Sequence, residues 1–528
     1  MNSLQVLDVT LRDGGCVNNF NFGQTYMEAI LSAQEVAGIE YIELGYIDEV
    51  KGTTGERTQY LNEQVITQCI LKNKKSDIKY VAMIDYGKFD VQKLQPRCPE
   101  GIDGIRLAFH KKNMKDIIEH GRVILEKGYE LFIQPMITLR YTDTELLELI
   151  AVVNQELSEA SAFYIVDSFG EMRPNDISRI MELVDKNLAV SMSLGFHSHN
   201  NLQLSYSNAI SMLQYPTNRN VILDSSIMGM GKGAGNLNTE LLLEYLNAYY
   251  NKNYKIEPLL QVMDEVINQI HTEFYWGYAP EYYLSAVNHC TPNYASYFYN
   301  KHMLPIEQVN NLLSQIPEEK KISFDQFFAE ELYRTYNEAK VVDDSEVVEE
   351  LRTVLRGRTV LLVAPGKRAG EKLEEIEKLS KKSDLVCIGL NTTFELPYDY
   401  LLTTRKEIYE MATAEGKKII APSNIVNQTQ CNVKVINYKN WIEVDDKTYD
   451  SSSVMIFKLL QECGVTEVLL AGFDGFSLDI NENYAEPFLR RPVTAEQAEK
   501  RNLFYKRFFE KMRKQGMNIE FVTKSLYE

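Results

Sequence analysis

Residues 4–47 read LQVLDVTLRDGGCVNNFNFGQTYMEAILSAQEVAGIEYIELGYI, and they decide the fold. Leu4 to Thr10 is a β-like run, Thr25 to Val36 carries apolar residues at helical spacing, and the chain turns β-like again at Tyr41. The same unit recurs, with β-like runs at Val6, Tyr41, Val81, Gly104, Leu131, Phe163, Ser193 and Val221, 23 to 40 residues apart. Parallel strands need crossovers of this length, because each connection must travel back along the sheet. Eight such units predict a closed (β/α)8 TIM barrel over residues 1–255.

Beyond the barrel the pattern changes. Helical runs such as Leu259 to His271 and Phe324 to Tyr336, with the aromatic stretch Phe274 to Tyr283, predict a helical appendage over 256–340. Residues 341–357 start acidic, lack large aromatics and read as a linker. A second alternating series follows, with β-like runs at Thr359, Leu385, Tyr400, Lys418, Lys434, Glu467 and Asn518. It predicts a doubly wound, Rossmann-like α/β domain over 358–528.

Composition narrows the function classes. The 528 residues include 56 Lys and Arg against 74 Asp and Glu, a net charge of −18 that argues against nucleic acid or anionic lipid as a partner. No apolar run approaches the length of a membrane span. Seven cysteines without a CxxC pair, and a strand-like start in place of a leader segment, predict a cytoplasmic, unprocessed chain.

In a closed β/α barrel, ligands collect at the C-terminal strand ends. The first strand ends in Asp8-Val9-Thr10-Leu11-Arg12-Asp13-Gly14-Gly15, an acid beside a permanent cation. The seventh ends in His197-Ser198-His199, where side chains two apart point the same way and can aim two ring nitrogens at one point. Two imidazoles and Asp13 make a set that leaves positions open for substrate; the alternative is a hydrogen-bonded histidine pair with no ion. Mn²⁺ or Mg²⁺ suits such a set, with Zn²⁺ or Co²⁺ as further options. Arg12 reads either as a substrate-facing cation or as an ion-pair partner of Asp13. The eighth strand leads into Met228-Gly229-Met230-Gly231-Lys232-Gly233-Ala234-Gly235-Asn236, whose backbone suits a carboxylate or phosphate, or makes a tight barrel turn.

Together these three strings resemble the DRE-TIM metallolyase family of HMG-CoA lyase-like, pyruvate carboxyltransferase-type barrels, over about residues 1–255. The resemblance implies that Asp13, His197 and His199 bind a divalent metal, with Asn236 near or on it, and that Arg12 stabilises an enolate. It places Asp167 and Ser168, in Asp-Ser-Phe-Gly after the sixth strand, and the glycine-loop residues Gly229 and Gly231 at the substrate. Glu43 matches an acidic family position. The segment Trp276 to Ala286 is similar to the one following the barrel in 4-hydroxy-2-oxovalerate aldolase-like members, which makes Tyr278 the carried-over active-site tyrosine. Those aldolases carry a histidine three residues after the motif Asp, where this chain has Cys16. Cys16 therefore reads either as a thiolate base or as a packing residue, with His110, His289 and Tyr278 as other candidates for the base.

The implied function is a metal-dependent aldolase or lyase acting through a pyruvate-type enolate of a 2-oxo acid, with an aldehyde as partner substrate and a homo-oligomeric assembly. The alternatives are an acyl-CoA lyase or Claisen-type synthase on the same metal site, and a noncatalytic metal-binding barrel scaffold. In the second domain, the strand ends bearing Gly366, Asn391 and Asp474 lie where an open α/β sheet binds a nucleotide. They resemble, distantly, sialyltransferase-like and pterin-pyrophosphokinase-like domains. A nucleotide-linked sugar there, and a role in carbohydrate biosynthesis, follow only from that half; the alternative is a sheet kept for assembly.

Overall fold

The computed structural model describes residues 3–528 except 56, 73, 300, 302–303, 305, 427–430, 443–450, 491–492 and 494. Two compact units divide the chain, Met1–Ala295 and Ser296–Glu528.

The first unit is built on eight parallel strands, β1 (Leu4–Asp8), β2 (Tyr41–Ile47), β3 (Lys79–Asp85), β4 (Gly104–Phe109), β5 (Glu130–Pro135), β6 (Ala162–Asp167), β7 (Ser193–Ser198) and β8 (Val221–Ser225). Each pairs with the next, and β1 pairs with both β8, from Leu4 opposite Val221, and β2, at Leu7 opposite Tyr41. The sheet is thus a closed (β/α)8 barrel, and all eight strands fall where the β-like runs were read. Strands β4 and β6 are buried at every position, as strands covered on both faces must be. The crossover helices follow from local signals. Helix Asp143–Glu156 starts on a Thr142–Glu145 capping box, and helix Gly23–Ala37 stops at Gly38, whose φ of 85° favours glycine. An outer core fills the space between strands and helices. A second cluster, including Leu7, Val81, Phe132 and Tyr164, joins inward-facing residues of the strands.

The appendage does not form one block. Helices Glu257–Val262, Asn268–Glu273 and Pro280–Val287 belong to the barrel unit, whereas Ile306–Ser314 and Gln326–Glu338 belong to the second. The stretch read as a linker over 341–357 contains helix Ser345–Leu355. Its Val348, Leu351 and Leu355, at helical spacing, are buried in the core of the second unit. Just before it, Asp344 is buried and accepts hydrogen bonds from Asn437 N at 2.7 Å and Trp441 Nε1 at 2.7 Å. The acidic start thus includes a buried anchor as well as solvated charge.

The second unit is an open sheet of seven parallel strands: β9 (Thr359–Val363), β10 (Leu385–Leu390), β11 (Tyr400–Leu402), β12 (Ile419–Pro422), β13 (Val433–Ile436), β14 (Glu467–Ala471) and β15 (Asn518–Phe521). Their order is β13-β12-β11-β10-β9-β14-β15. The chain winds one way from β9 to β13, then returns to build the other side, which is the doubly wound arrangement.

Candidate metal centre

Asp13 follows β1, while His197 lies in β7 and His199 directly after it. One potential ligand atom from each falls within 4.8 Å of the others, and all three residues are buried. The two imidazoles are oriented from behind. His197 Nδ1 lies 2.9 Å from Asp224 Oδ2, and His199 Nδ1 lies 3.2 Å from the carbonyl oxygen of Lys232. Both partners are acceptors, so each Nδ1 carries the proton and each Nε2 keeps its lone pair, as in metal-binding histidines. Burial lowers the His199 pKa to about 4, so the ring is neutral at pH 7. Burial works against charge on Asp13, but the Arg12 guanidinium, with the Asn236 amide donating to the same carboxylate, outweighs it and holds the carboxyl below its usual range.

Asn236 completes the cluster. Its Nδ2 donates to Asp13 Oδ2 at 2.8 Å and to the Met230 carbonyl at 3.1 Å, while its buried Oδ1 has no partner among the described residues. A buried carbonyl oxygen left unpaired beside a carboxylate and two imidazole lone pairs fits a cation. Glycine at 231 is what lets these groups meet, because a Cβ there would collide with Asn236 Nδ2 and crowd Asp13 Oδ2.

Behind the ligands runs a buried chain of charge. Arg12 donates from Nη1 to Asp13 Oδ1 and from Nε to Glu43 Oε2, both at 2.7 Å. The same Glu43 oxygen accepts from Arg106 Nη1 at 2.6 Å, and Arg106 Nη2 bonds Asp224. Arg106 lies over the Tyr164 ring at 4.8 Å and is wholly buried. Arg12 Nη2 is the guanidinium nitrogen left without a partner among the described residues. Glu43, the acidic position matched to the family, bridges two guanidinium groups.

Residues 3–266 match the model of the family described as HMGL-like. That span is half the chain. The chain belongs to the HMGL-like family. This HMGL-like protein is 26% identical to a 4-hydroxy-2-oxovalerate aldolase of Bacillus thuringiensis over 266 residues, 50% of this chain and 76% of the relative. It is 28% identical to the enzyme of that name from Carboxydothermus hydrogenoformans over 272 residues, 50% of this chain and 77% of the relative. Among solved structures, it is similar to the N-terminal domain of a candidate aldolase from Bacteroides vulgatus, with 27% identity and a TM-score of 0.49 over 56% of this chain and 96% of that one.

The remaining expected site residues of this HMGL-like barrel fall into distinct roles. Asp167 accepts from the backbone N–H of Glu171 at 2.9 Å and of Met172 at 3.1 Å, and Ser168 Oγ accepts from Ile137 N at 3.0 Å. Both therefore fix the turns beside the site. Gly229 adopts a φ of 60°, within the loop that returns to Asn236. Cys16 has a solvent-facing side, yet burial and the Asp13 carboxylate push its thiol up to about 12. In this environment the protonated thiol is the favoured form at pH 7, before the charge of any ion is added. Tyr278 is 55% exposed and its side chain makes no hydrogen bond to the buried network among the described residues. Its segment is tied to the loop after β8 by Trp276 Nε1, which donates to the Met228 carbonyl at 3.1 Å.

A dyad that the sequence reading did not assemble lies in the same unit. His289 Nδ1 lies 2.5 Å from Glu171 Oε2, and Arg140 donates to Glu171 at 3.2 Å and to the His289 carbonyl at 2.9 Å. The histidine holds a φ of 58°, a strained conformation of the kind stored at functional sites. Two residues later, Thr291 Oγ1 lies 3.5 Å from Lys232 Nζ, in the loop whose carbonyl orients His199.

In the second unit, Gly366 is required because a Cβ would collide with the Gly472 carbonyl. Asp474 Oδ2 accepts from the backbone N–H of Arg368 at 2.8 Å, in the first turn of the helix that follows β9. The Asn391 amide is spent on Thr403, Thr404 and Ser452, so it ties the loop after β11 to the start of the helix Ser452–Glu462.

Proposed function

We propose that the barrel is a divalent-metal-dependent aldolase, a carbon–carbon lyase that cleaves or forms a C–C bond through the pyruvate-type enolate of a 2-oxo acid, with an aldehyde as the second substrate. The observation that carries this reading is the convergence of Asp13, His197 and His199 within 4.8 Å, with both histidines oriented to present Nε2. A divalent ion held by these residues, with Asn236 beside them, supplies a Lewis acid that polarises the 2-oxo carbonyl. The mixed nitrogen and oxygen donors suit manganese or magnesium, and admit zinc or cobalt.

The chain's own groups do the rest. Asp13, Glu43 and Asp224 against Arg12 and Arg106 leave one net negative charge in the buried network, so a divalent ion turns the site positive and matches an anionic 2-oxo acid. Arg12 Nη2 donates to the oxygen on which enolate charge develops. His289, aligned by Glu171, takes the proton from the 4-hydroxyl during cleavage and returns it during addition. Asp167, Ser168, Gly229 and Gly231 shape the substrate pocket, and Tyr278 borders it.

The same family also supports thioester chemistry as a second reading, because the metal set alone does not choose the acyl partner. A place in carbohydrate biosynthesis rests on the second unit alone, read as a nucleotide-sugar domain because open α/β sheets take ligands at their strand ends. The test is pyruvate release from 4-hydroxy-2-oxopentanoate and longer 4-hydroxy-2-oxo acids, with chelator and with Mn²⁺ restored. Metal-dependent release that falls about 100-fold in His289→Gln supports the reading. Cleavage of hydroxyacyl-CoA esters, with none of the 4-hydroxy-2-oxo acids, overturns it.

A further inference from the structure

On β3, Val81 belongs to the inward-facing cluster of the barrel, whereas Tyr80, Ala82 and Ile84 lie in the outer core. Side chains two apart on a strand share a face, so Met83 and Asp85 point into the barrel, and Asp85 is the last residue of the strand. It therefore stands at the C-terminal rim, the end at which Asp13, His197 and His199 converge. The charges of Asp13, Arg12 and Asp85 all act on the Cys16 thiol, which ties Asp85 to that cluster. Its partner on β4 is only Ala108, and Asp85 remains partly exposed.

Among the described residues the Asp85 carboxylate accepts no hydrogen bond and joins no ion pair, whereas Asp8, Asp13, Glu43 and Asp224 are all paired. Burial outweighs the charges of Arg12 and Lys88 and pushes its carboxyl up to about 6. A carboxylate so placed calls for a hydrogen-bond donor from outside the chain.

Tyr46 stands next to it. The register between β2 and β3 slips by one residue, with Glu43 opposite Val81 but Tyr46 opposite Met83, and this turns Tyr46 toward the interior. Arg12 lies over its ring at 5.7 Å, and Phe20 meets it edge-on at 5.5 Å and 88°. The Tyr46 hydroxyl has no hydrogen-bond partner among the described residues, and burial and the Asp85 charge raise its pKa, so it stays a donor. An acceptor and a donor left open side by side suit a hydroxyl, which fills both roles. An ammonium group offers donors only, and Arg12 with a divalent ion repels it. The 2-oxo acid does not supply this hydroxyl, because Asp85 repels its carboxylate and the methyl group of pyruvate has no donor. The hydroxyl therefore belongs to the aldehyde.

We propose that Asp85 selects the second substrate, accepting a hydrogen bond from a hydroxyl carried by the aldehyde while Tyr46 donates to the same group, so that the barrel takes hydroxyaldehydes ahead of aliphatic ones. This inference rests on the aldolase reading above and names the aldehyde class that the reading leaves open. In the addition, C3 of pyruvate bonds to the aldehyde carbon and the C3 proton ends on the new 4-hydroxyl, so no further reactant enters. Glycolaldehyde then gives 4,5-dihydroxy-2-oxopentanoate.

The experiment measures kcat/KM for addition of pyruvate to glycolaldehyde and glyceraldehyde against their near-isosteres propanal and 2-methylbutanal, with aminoacetaldehyde as a further arm. It uses the full chain with Mn²⁺, and C3 proton exchange of pyruvate is followed on the same native sample. Native protein should prefer at least one hydroxyaldehyde over its isostere by at least about tenfold. Asp85→Leu, confirmed folded by circular dichroism, should erase that preference, and Asp85→Asn, which keeps an acceptor oxygen, should retain part of it. If Asp85→Leu does not fold, the native preference and its reduction in Asp85→Asn decide the matter. An equal loss on both members of each pair overturns the proposal, because it places Asp85 on the 4-hydroxyl common to every product. Aminoacetaldehyde outrunning glycolaldehyde overturns the choice of a hydroxyl. Exchange without addition to any aldehyde, or addition without preference, overturns the proposal and leaves the enolate chemistry standing. Absence of both exchange and addition removes the aldolase reading and this inference with it.

Discussion

The Glu43 carboxylate oxygen that accepts the Nε–H of Arg12 also accepts the Nη1–H of Arg106, at 2.6 Å. One oxygen therefore couples the arginine at the metal ligands to an arginine wholly buried in the barrel. Removing Arg106 leaves Glu43 and Asp224 with buried, undercompensated charge. Arg106→Leu is expected to cost about 3–5 kcal/mol in urea unfolding, and a loss below about 1 kcal/mol would contradict the network.

Asp224 acts through His197. Burial opposes its charge, but Arg106 and His197 outweigh that and hold its pKa low, so it stays ionised and keeps the His197 Nδ1 proton in place. Asp224→Asn is expected to weaken Mn²⁺ binding about 10- to 100-fold in a calorimetric titration. Unchanged affinity would show that His197 needs no support.

Gly231→Ala tests the approach of Asn236 to Asp13. The added Cβ would collide with the Asn236 amide and crowd the Asp13 carboxylate. Metal affinity should fall by at least about tenfold while the melting midpoint moves by only a few degrees. A variant that keeps full affinity would separate Asn236 from the metal centre.

Cys16 gives a prediction in pH. With its thiol pushed up to about 12 by burial and Asp13, the thiolate is scarce at neutral pH and grows only as pH approaches that value. Alkylation by iodoacetamide in chelator-treated protein should be slow at pH 7.5, slower than at Cys98, which is exposed like Cys16, and should still be rising at pH 10. A plateau near pH 8 would restore the thiolate reading.

Much of this architecture is legible locally. Fifteen strands of the two large sheets fall where the β-like runs were read, because each buried parallel strand is a short apolar run bounded by turn residues. The candidate metal ligands are equally local, Asp13 soon after β1 and a His-x-His at the end of β7. Arg106 is not. Its strand, Gly-Ile-Arg-Leu-Ala-Phe, reads as a core run, and its partners lie 63 and 118 residues away. The available signal was the arginine itself, since a strand buried on both faces tolerates a guanidinium only when it is paired. His289 and Glu171 are likewise 118 residues apart, so the dyad exists only once the barrel closes. The helix Ser345–Leu355 was hidden by acidic residues that mask a stripe of Val348, Leu351 and Leu355.

Proton exchange at C3 of pyruvate in D₂O, followed by NMR, tests enolate formation at Asp13, His197, His199 and Arg12 most directly. Native protein with Mn²⁺ should exchange the methyl protons and should stop on chelation. His199→Ala should lose both metal and exchange, and Arg12→Ala should keep the metal and lose exchange. Native protein that binds one equivalent of Mn²⁺ yet exchanges no faster than the buffer would contradict the account.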